Sequence, residues 1–255
     1  MKMWCLTLFA LLSAAPAVAR PVVATPQTMT WNINGTLRQA LVYAPSKATR
    51  GKAPLVFAFH GSGDNVEHFS IAGFQDAWPE AVIVYMQGLE RNSGPGGAFQ
   101  TTDASDGNPD LKFFDTALAD LQQKFRVDDA RIYAAGFSNG ARFVFLLWAT
   151  RSRTFASFAT VAGTLPAQVS LKDPKSLVHI AGREDHNVEF RLQMESVETV
   201  RTLNGATGTG ESCGKDCTLY RSSKGAPVIT VVHGGGHLYP SNATDIIVTF
   251  FRAHP

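Results

Sequence analysis

Six short, nearly continuous apolar runs limit what this chain can fold into: Leu55 to Phe59, Ala81 to Met86, Ile132 to Ala135, Ala159 to Ala162, Leu177 to Ile180 and Val228 to Val232. Each is too short for a buried helix, and none alternates apolar with polar residues as a half-exposed strand would. Strands of this kind are covered on both faces, which is the condition of a parallel sheet. The segments between them supply the cover. Leu111, Phe114, Leu118, Leu121 and Phe125 recur at steps of three and four, one apolar stripe of a helix, with Asp110 expected to cap it after Pro109. Further helices are expected from Ser138 to about Thr150, from Val188 to Leu203 and from Asp245 to Arg252. Ahead of them, Thr28 to Asn34 and Thr36 to Tyr43 flank Asn34-Gly35, a hairpin signal. The fold class that follows is α/β: a doubly wound, mostly parallel sheet with an N-terminal antiparallel hairpin.

The first residues read as an export signal. Lys2 supplies the positive charge, Cys5 to Leu12 the apolar stretch, and Ala17-Val18-Ala19 the small-x-small pattern cleaved after Ala19. The alternative is an uncleaved anchor. The stretch is shorter than the roughly 20 apolar residues a membrane helix needs, and no later segment could span, so no stable membrane insertion is expected after cleavage. Residues 1–19 are then the signal peptide, residues 20–255 a single catalytic domain, and the destination periplasmic or secreted. A formal net charge of +2 without a Lys/Arg cluster gives no sign of nucleic-acid or anionic-membrane binding. In an oxidising compartment Cys213 and Cys217 are expected to pair across Gly214-Lys215-Asp216. The alternative, half of a zinc site, lacks a second Cys or His pair at suitable spacing.

Gly136-Phe137-Ser138-Asn139-Gly140 has the form G-x-S-x-G. The pentapeptide alone is weak; its place between a strand and an apolar helix makes it specific. Such a turn strains the serine backbone, exposes its hydroxyl at a helix N-terminus, and needs small flanking residues. A serine nucleophile needs a base, and His237 is the candidate, released by Gly234-Gly235-Gly236 after the last strand. His233, at the strand end itself, is read as structural, and its i, i+4 relation to His237 lacks a third metal ligand. The imidazole needs an acceptor to hold its tautomer. Asp185 fills that role after the strand Leu177 to Ile180, with Glu184 as rival. The oxyanion donors are expected to be the backbone N–H groups of Asn139 and of Ser62, with Gly61 as rival for the second, and His60 is read as a buttress of that loop. Phe137 and Tyr239 are candidates for the substrate cleft. No metal and no organic cofactor is expected.

With these motifs in place, the chain resembles the exported polyhydroxybutyrate depolymerase and feruloyl or acetylxylan esterase group of α/β-hydrolases. The resemblance runs through LVFAFHGSGDN, DLKFFDTALADLQQKFRVDDARIYAAGFSNGARFVFLLW and GGGHLYP…ATDIIVTFFRAHP, and covers most of residues 30–255. It implies Ser138 as nucleophile, His237 as base and Ser62 as oxyanion donor. The group's H-G-x-x-D acid pattern aligns through Gly182 with Asp185. Two departures stand out. Tyr239 replaces a Trp common two residues after the base, and Ala141 replaces a common second glycine after the nucleophile. The activity implied is hydrolysis of carboxylic esters, small or oligomeric, through an acyl-enzyme. Rival readings are an acyltransferase or peptidase on the same triad, a non-catalytic secreted binding protein, and a lipase-like surface enzyme. No polymer-binding module is expected beside the domain.

Overall fold

A computed structural model describes residues 25–45, 48, 51–90, 96–103 and 107–255. The expected signal peptide, residues 1–19, and its cleavage point lie outside the described residues. The strands are β1 (Gln27–Ile33), β2 (Thr36–Tyr43), β3 (Ala53–Phe59), β4 (Val82–Met86), the two-residue β5 (Leu89–Glu90) and β6 (Gly97–Ala98), β7 (Val127–Phe137), β8 (Ser157–Val161), β9 (Ser176–Gly182), β10 (Glu211–Gly214), β11 (Cys217–Tyr220) and β12 (Val228–His233). The helices are α1 (Val66–Phe69), α2 (Phe74–Ala77), α3 (Pro109–Lys124), α4 (Asn139–Arg151), α5 (Phe190–Asn204) and α6 (Ala243–Ala253).

Ten strands form one sheet in the order β1-β2-β4-β3-β7-β8-β9-β12-β11-β10. The six central strands, β4 through β12, pair in parallel, as their continuous apolar runs require. The hairpin at Asn34-Gly35 forms in register from Gln27↔Val42 to Ile33↔Thr36 and joins β4 antiparallel. A second antiparallel pair, β10 and β11, closes the opposite edge. The sequence pattern did not indicate this pair, because β10 is exposed along its whole length and β11 only half-buried. Without a buried face there is no alternation to read.

Side chains of β3 point alternately into two apolar layers. Leu55, Phe57 and Phe59 enter the layer shared with α3, α4 and α5; Val56 and Ala58 enter the one shared with α1, α2 and α6. Aromatic rings fill the first layer: Phe57 meets Phe114 edge-on at 4.9 Å, and Trp148 stacks on Phe158 at 4.9 Å. Each fully buried side chain of this size contributes about 1.5–3 kcal/mol.

Helix α4 starts one residue after the expected Ser138 and α6 two residues before the expected Asp245, and the starts of α3 and α5 differ for identifiable reasons. The N-cap of α3 is Asn108, at φ 61°, and Pro109 is the first helical residue, where its missing N–H costs nothing. Asp110 lies inside the first turn, buried, and accepts hydrogen bonds from Arg38 (2.6 Å) and from the Gln100 N–H (2.7 Å). Helix α5 begins at Phe190 and not at Val188, because the Asn187 and Val188 N–H groups are engaged by the Asp185 carboxylate.

Candidate active site

The sheet order places β3 between β4 and β7, so the chain leaves β3 in one direction for β4 and returns on the other side for β7. In open α/β sheets, ligands bind where strand order reverses in this way, beyond the carboxyl ends of the strands. Ser138 follows β7 at that point, with φ 53° and ψ −113°, a backbone that a non-glycine residue holds only under constraint. The constraint is visible. The Ser138 N–H donates to the Val161 carbonyl at 2.8 Å, and α4 starts at once. The flanking glycines are demanded by contact: a Cβ on Gly136 would lie 2.4 Å from the Gly140 carbonyl, and one on Gly140 would lie 2.1 Å from the Phe59 oxygen.

His237 hangs on the loop after β12. Its Nε2 is 2.9 Å from Ser138 Oγ, and its Nδ1 is 2.8 Å from Asp185 Oδ2. The structure thus brings Ser138, His237 and Asp185 into one hydrogen-bonded line. The Asp185 side chain is fully buried, while 15% of the His237 side chain is exposed. Asp185 Oδ1 accepts from the Asn187 and Val188 N–H groups at 3.0 and 2.8 Å, and Oδ2 accepts from Gln193 at 3.0 Å as well as from His237. Burial pushes the Asp185 pKa up. The bonds from Val188, His237 and Asn187 and the imidazolium charge together outweigh it, so the carboxyl titrates below its ordinary range.

The loops that carry Asp185 and His237 are pinned to each other beyond the ends of their strands. The Arg183 N–H donates to the His233 carbonyl (2.9 Å) and the Glu184 N–H to the Gly235 carbonyl (3.1 Å). Gly182 permits this approach, since a Cβ there would lie 2.3 Å from the Gly235 oxygen. The rivals point elsewhere. The Glu184 side chain is 70% exposed, and His233 turns back to accept the Gly235 N–H on its Nδ1 at 3.1 Å.

The loop after β3 lies against Ser138: a Cβ on Gly61 would be 3.1 Å from the Phe137 ring and 3.5 Å from Ser138 Cβ. Among the described residues, the Ser62 N–H has no protein acceptor, and the Asn139 N–H is in the first turn of α4, where backbone donors are free. His60 is buried beneath the loop. Its Nδ1–H donates to the Gly61 carbonyl (2.6 Å) and its Nε2 accepts the Gly88 N–H (3.0 Å), so the ring is neutral, and burial holds its pKa down. It is a buttress, as expected. The Asn139 side chain adds a clamp that the motif did not reveal. Its Oδ1 accepts the Phe99 N–H at 2.7 Å and its Nδ2 donates to the Phe99 carbonyl at 3.1 Å. Gly97, two residues before, pairs with the other loop through Gly63 N–H to Gly97 O and Gly97 N–H to Asp64 O, each 3.0 Å. Through Phe99 and Gly97, one short segment ties the two expected donor loops together.

Phe137 and Tyr239 are half-buried and form a continuous aromatic wall beside His237. Phe137 is 5.1 Å from the His237 ring and meets Tyr239 edge-on at 6.0 Å; Tyr239 meets Phe69 of α1 at 5.6 Å and bonds its hydroxyl to Thr244 at 2.8 Å. Cys213 and Cys217 are joined in a disulfide, Cα–Cα 5.1 Å, at the turn between β10 and β11. Among the described residues no group of three or more His, Cys, Asp or Glu gathers to hold an ion, and no helix is long and apolar enough to cross a membrane.

No protein-family model matches the chain. It is 26% identical over 256 residues to feruloyl esterase D of Neurospora crassa, covering 90% of this chain and 87% of that one. Among solved structures, it superposes on the acetyl xylan esterase of Aspergillus awamori with a TM-score of 0.68 and 13% identity, over 90% of this chain and 99% of the other. An S-formylglutathione hydrolase from Agrobacterium tumefaciens matches with a TM-score of 0.66 and 15% identity, over 90% and 94%. The fold is therefore the α/β-hydrolase fold.

Proposed function

We propose that this protein is an exported serine esterase, with residues 1–19 removed on export and residues 20–255 acting as one catalytic domain. The observation that carries the reading is the line Ser138–His237–Asp185, closed at 2.9 and 2.8 Å on a strained strand-to-helix turn. In this reading Ser138 Oγ attacks the ester carbonyl carbon as its proton passes to His237 Nε2. Asp185 accepts the Nδ1–H bond, holds the reactive tautomer and stabilises the imidazolium. The negative charge on the carbonyl oxygen is met by the N–H groups of Asn139 and Ser62. The tetrahedral species collapses as His237 returns the proton to the departing alcohol. Water then repeats the sequence on the acyl-enzyme and releases the carboxylic acid and Ser138.

The similarity to a feruloyl esterase supports carboxylic esters as the substrate class. The aromatic wall of Phe137 and Tyr239 suits an acyl or alcohol group with a flat or apolar face. Within the class, feruloyl and acetylxylan esters and hydroxybutyrate oligomers are the candidates. The test is a panel of these with p-nitrophenyl esters, run on the native protein and on Ser138→Ala, with a fluorophosphonate probe alongside. The native protein should label at Ser138, and the variant should lose kcat by on the order of 10⁵ with its fold intact. Hydrolysis that survives Ser138→Ala would refute the reading, and transfer to an added alcohol or cleavage of amides would move the activity to another acyl-transfer class.

A further inference from the structure

We infer that Gln193 of α5 is a positioning residue for Asp185, holding the acid to a helix of the main fold; the inference rests on the serine-esterase reading above. Gln193 is fully buried. Its Nε2 donates to Asp185 Oδ2 at 3.0 Å and to the Val188 carbonyl at 2.7 Å. Both partners only accept, which fixes the orientation of the amide. Of the four donors around the carboxylate, two are backbone N–H groups of residues 187 and 188, which travel with Asp185 itself. Among the described residues, Gln193 alone ties Asp185 to a helix of the main fold. It does so at Oδ2, the same oxygen that holds His237 Nδ1–H.

Behind Gln193 the line of bonds ends. Its Oε1 has no donor, and the Nε2 of the fully buried His179 has no partner either. The His179 ring lies near Gln193, whose amide favours its proton, but no hydrogen bond is closed between them. On its other side, His179 Nδ1 pairs with Thr160 Oγ1 at 2.8 Å, from the position directly opposite on β8. Thr160 can donate to Nδ1, which leaves the ring proton on Nε2. The hydrogen-bonded order is Gln193, Asp185, His237, Ser138, with the buried Thr160–His179 pair beside its inner end. The titratable groups that face this line are Asp185, His237 and His179, while Glu184, His186 and Glu189 point to solvent.

If Gln193 positions Asp185, removing its donor does two things. The carboxylate gains freedom to rotate away from Nδ1, which lowers kcat without touching substrate binding. It also loses a compensating hydrogen bond, so its charge pulls harder on the imidazolium. Gln193→Met keeps length and volume without the donor. The expected result is kcat lower by about tenfold, KM unchanged within about twofold, and the acid limb of kcat/KM moved to higher pH by about half a unit. Gln193→Glu is the second variant. Protonated, its single O–H can replace the bond to Asp185 but not also the one to the Val188 carbonyl; ionised, it sets two carboxylates side by side. Its profile should therefore gain an alkaline limb that the native profile lacks. Native-like kcat and native-like pH profiles in whichever variant folds would overturn the inference. Ser138→Ala in the same assay separates the two levels: if it stays active the serine reading fails, and if it is inactive while both Gln193 profiles are native-like, only the role of Gln193 fails.

Discussion

Asn139 does two separable things. Its backbone N–H is a free donor in the first turn of α4, and its side chain grips the Phe99 backbone from both directions. Asn139→Ala keeps the first and removes the second. The expected outcome is a kcat loss of about tenfold with a stability loss of only about 1–2 kcal/mol, read by ester kinetics and by urea unfolding. A mutant with native kcat would show that the Phe99 segment holds its place unaided. His179 makes a different prediction, about stability and pH. Burial holds its pKa down to about 4, against 6.5 when unfolded. Between those values the unfolded chain binds a proton that the folded chain refuses, so stability falls as pH drops from about 6.5 to about 4, by up to ~3 kcal/mol. Asp185, depressed in the fold, adds to the loss at still lower pH, as its carboxylate is protonated. His179→Gln should flatten the slope of unfolding free energy between pH 6.5 and 4, and an unchanged slope would assign it elsewhere; His60, also lowered by burial, leaves a remainder. At this scale Ser138, Asp185 and His237 were legible because each follows its own apolar run. Gln193 and His179 were not, since one is an ordinary polar residue within a helix and the other interrupts an apolar strand without a motif around it.

The contact between α4 and the end of β8 shows how one element accommodates another. Ala141 is fully buried, and Gly163, just past β8, leaves the space its methyl occupies: a Cβ on Gly163 would stand 2.5 Å from Ala141 Cβ. The alanine that departs from the resembled group's glycine pattern is thus matched by a glycine on the facing element. Gly163→Ala should destabilise by about 1–3 kcal/mol through overpacking. Ala141→Gly in the same chain should restore part of it, the remainder coming from the Ser138 carbonyl, 2.9 Å from the same Cβ position. Denaturant midpoints of the two single variants and the double give the coupling, and simple additivity would contradict the contact. The elements that the sequence made legible are those with enough buried residues to set a period: the six central strands, the first hairpin, α3, α4, α5 and α6. Helices α1 and α2, four residues each, are too short to show one. Strands β10 and β11 owe their place to the pairing of β11 with β12 and to the disulfide, neither of which leaves a burial pattern in β10.

Seen whole, the sheet keeps its chemistry and its covalent cross-link apart. From β7, which carries Ser138, to β11, which carries Cys217, are four strand spacings, roughly 19 Å at about 4.8 Å each. Reduction of the disulfide should therefore leave ester hydrolysis intact. The loop it closes is short, so stability should fall by at most about 2 kcal/mol. Unfolding and kinetics with and without reductant, with alkylation and intact mass to count thiols, measure both, and a loss of activity on reduction would mean that the edge hairpin reaches the site. The topology also sets an order in time. Ser138 and His237 stand 99 residues apart and Asp185 and His237 stand 52 apart, with His237 on the loop after β12, a strand that inserts between β9 and β11. A chain emerging from its N-terminus presents the serine long before the histidine that would activate it. On the proposed reading, hydrolysis needs nearly the whole chain in place, since Ser138 has no base until β12 lies between β9 and β11 and brings His237 to it.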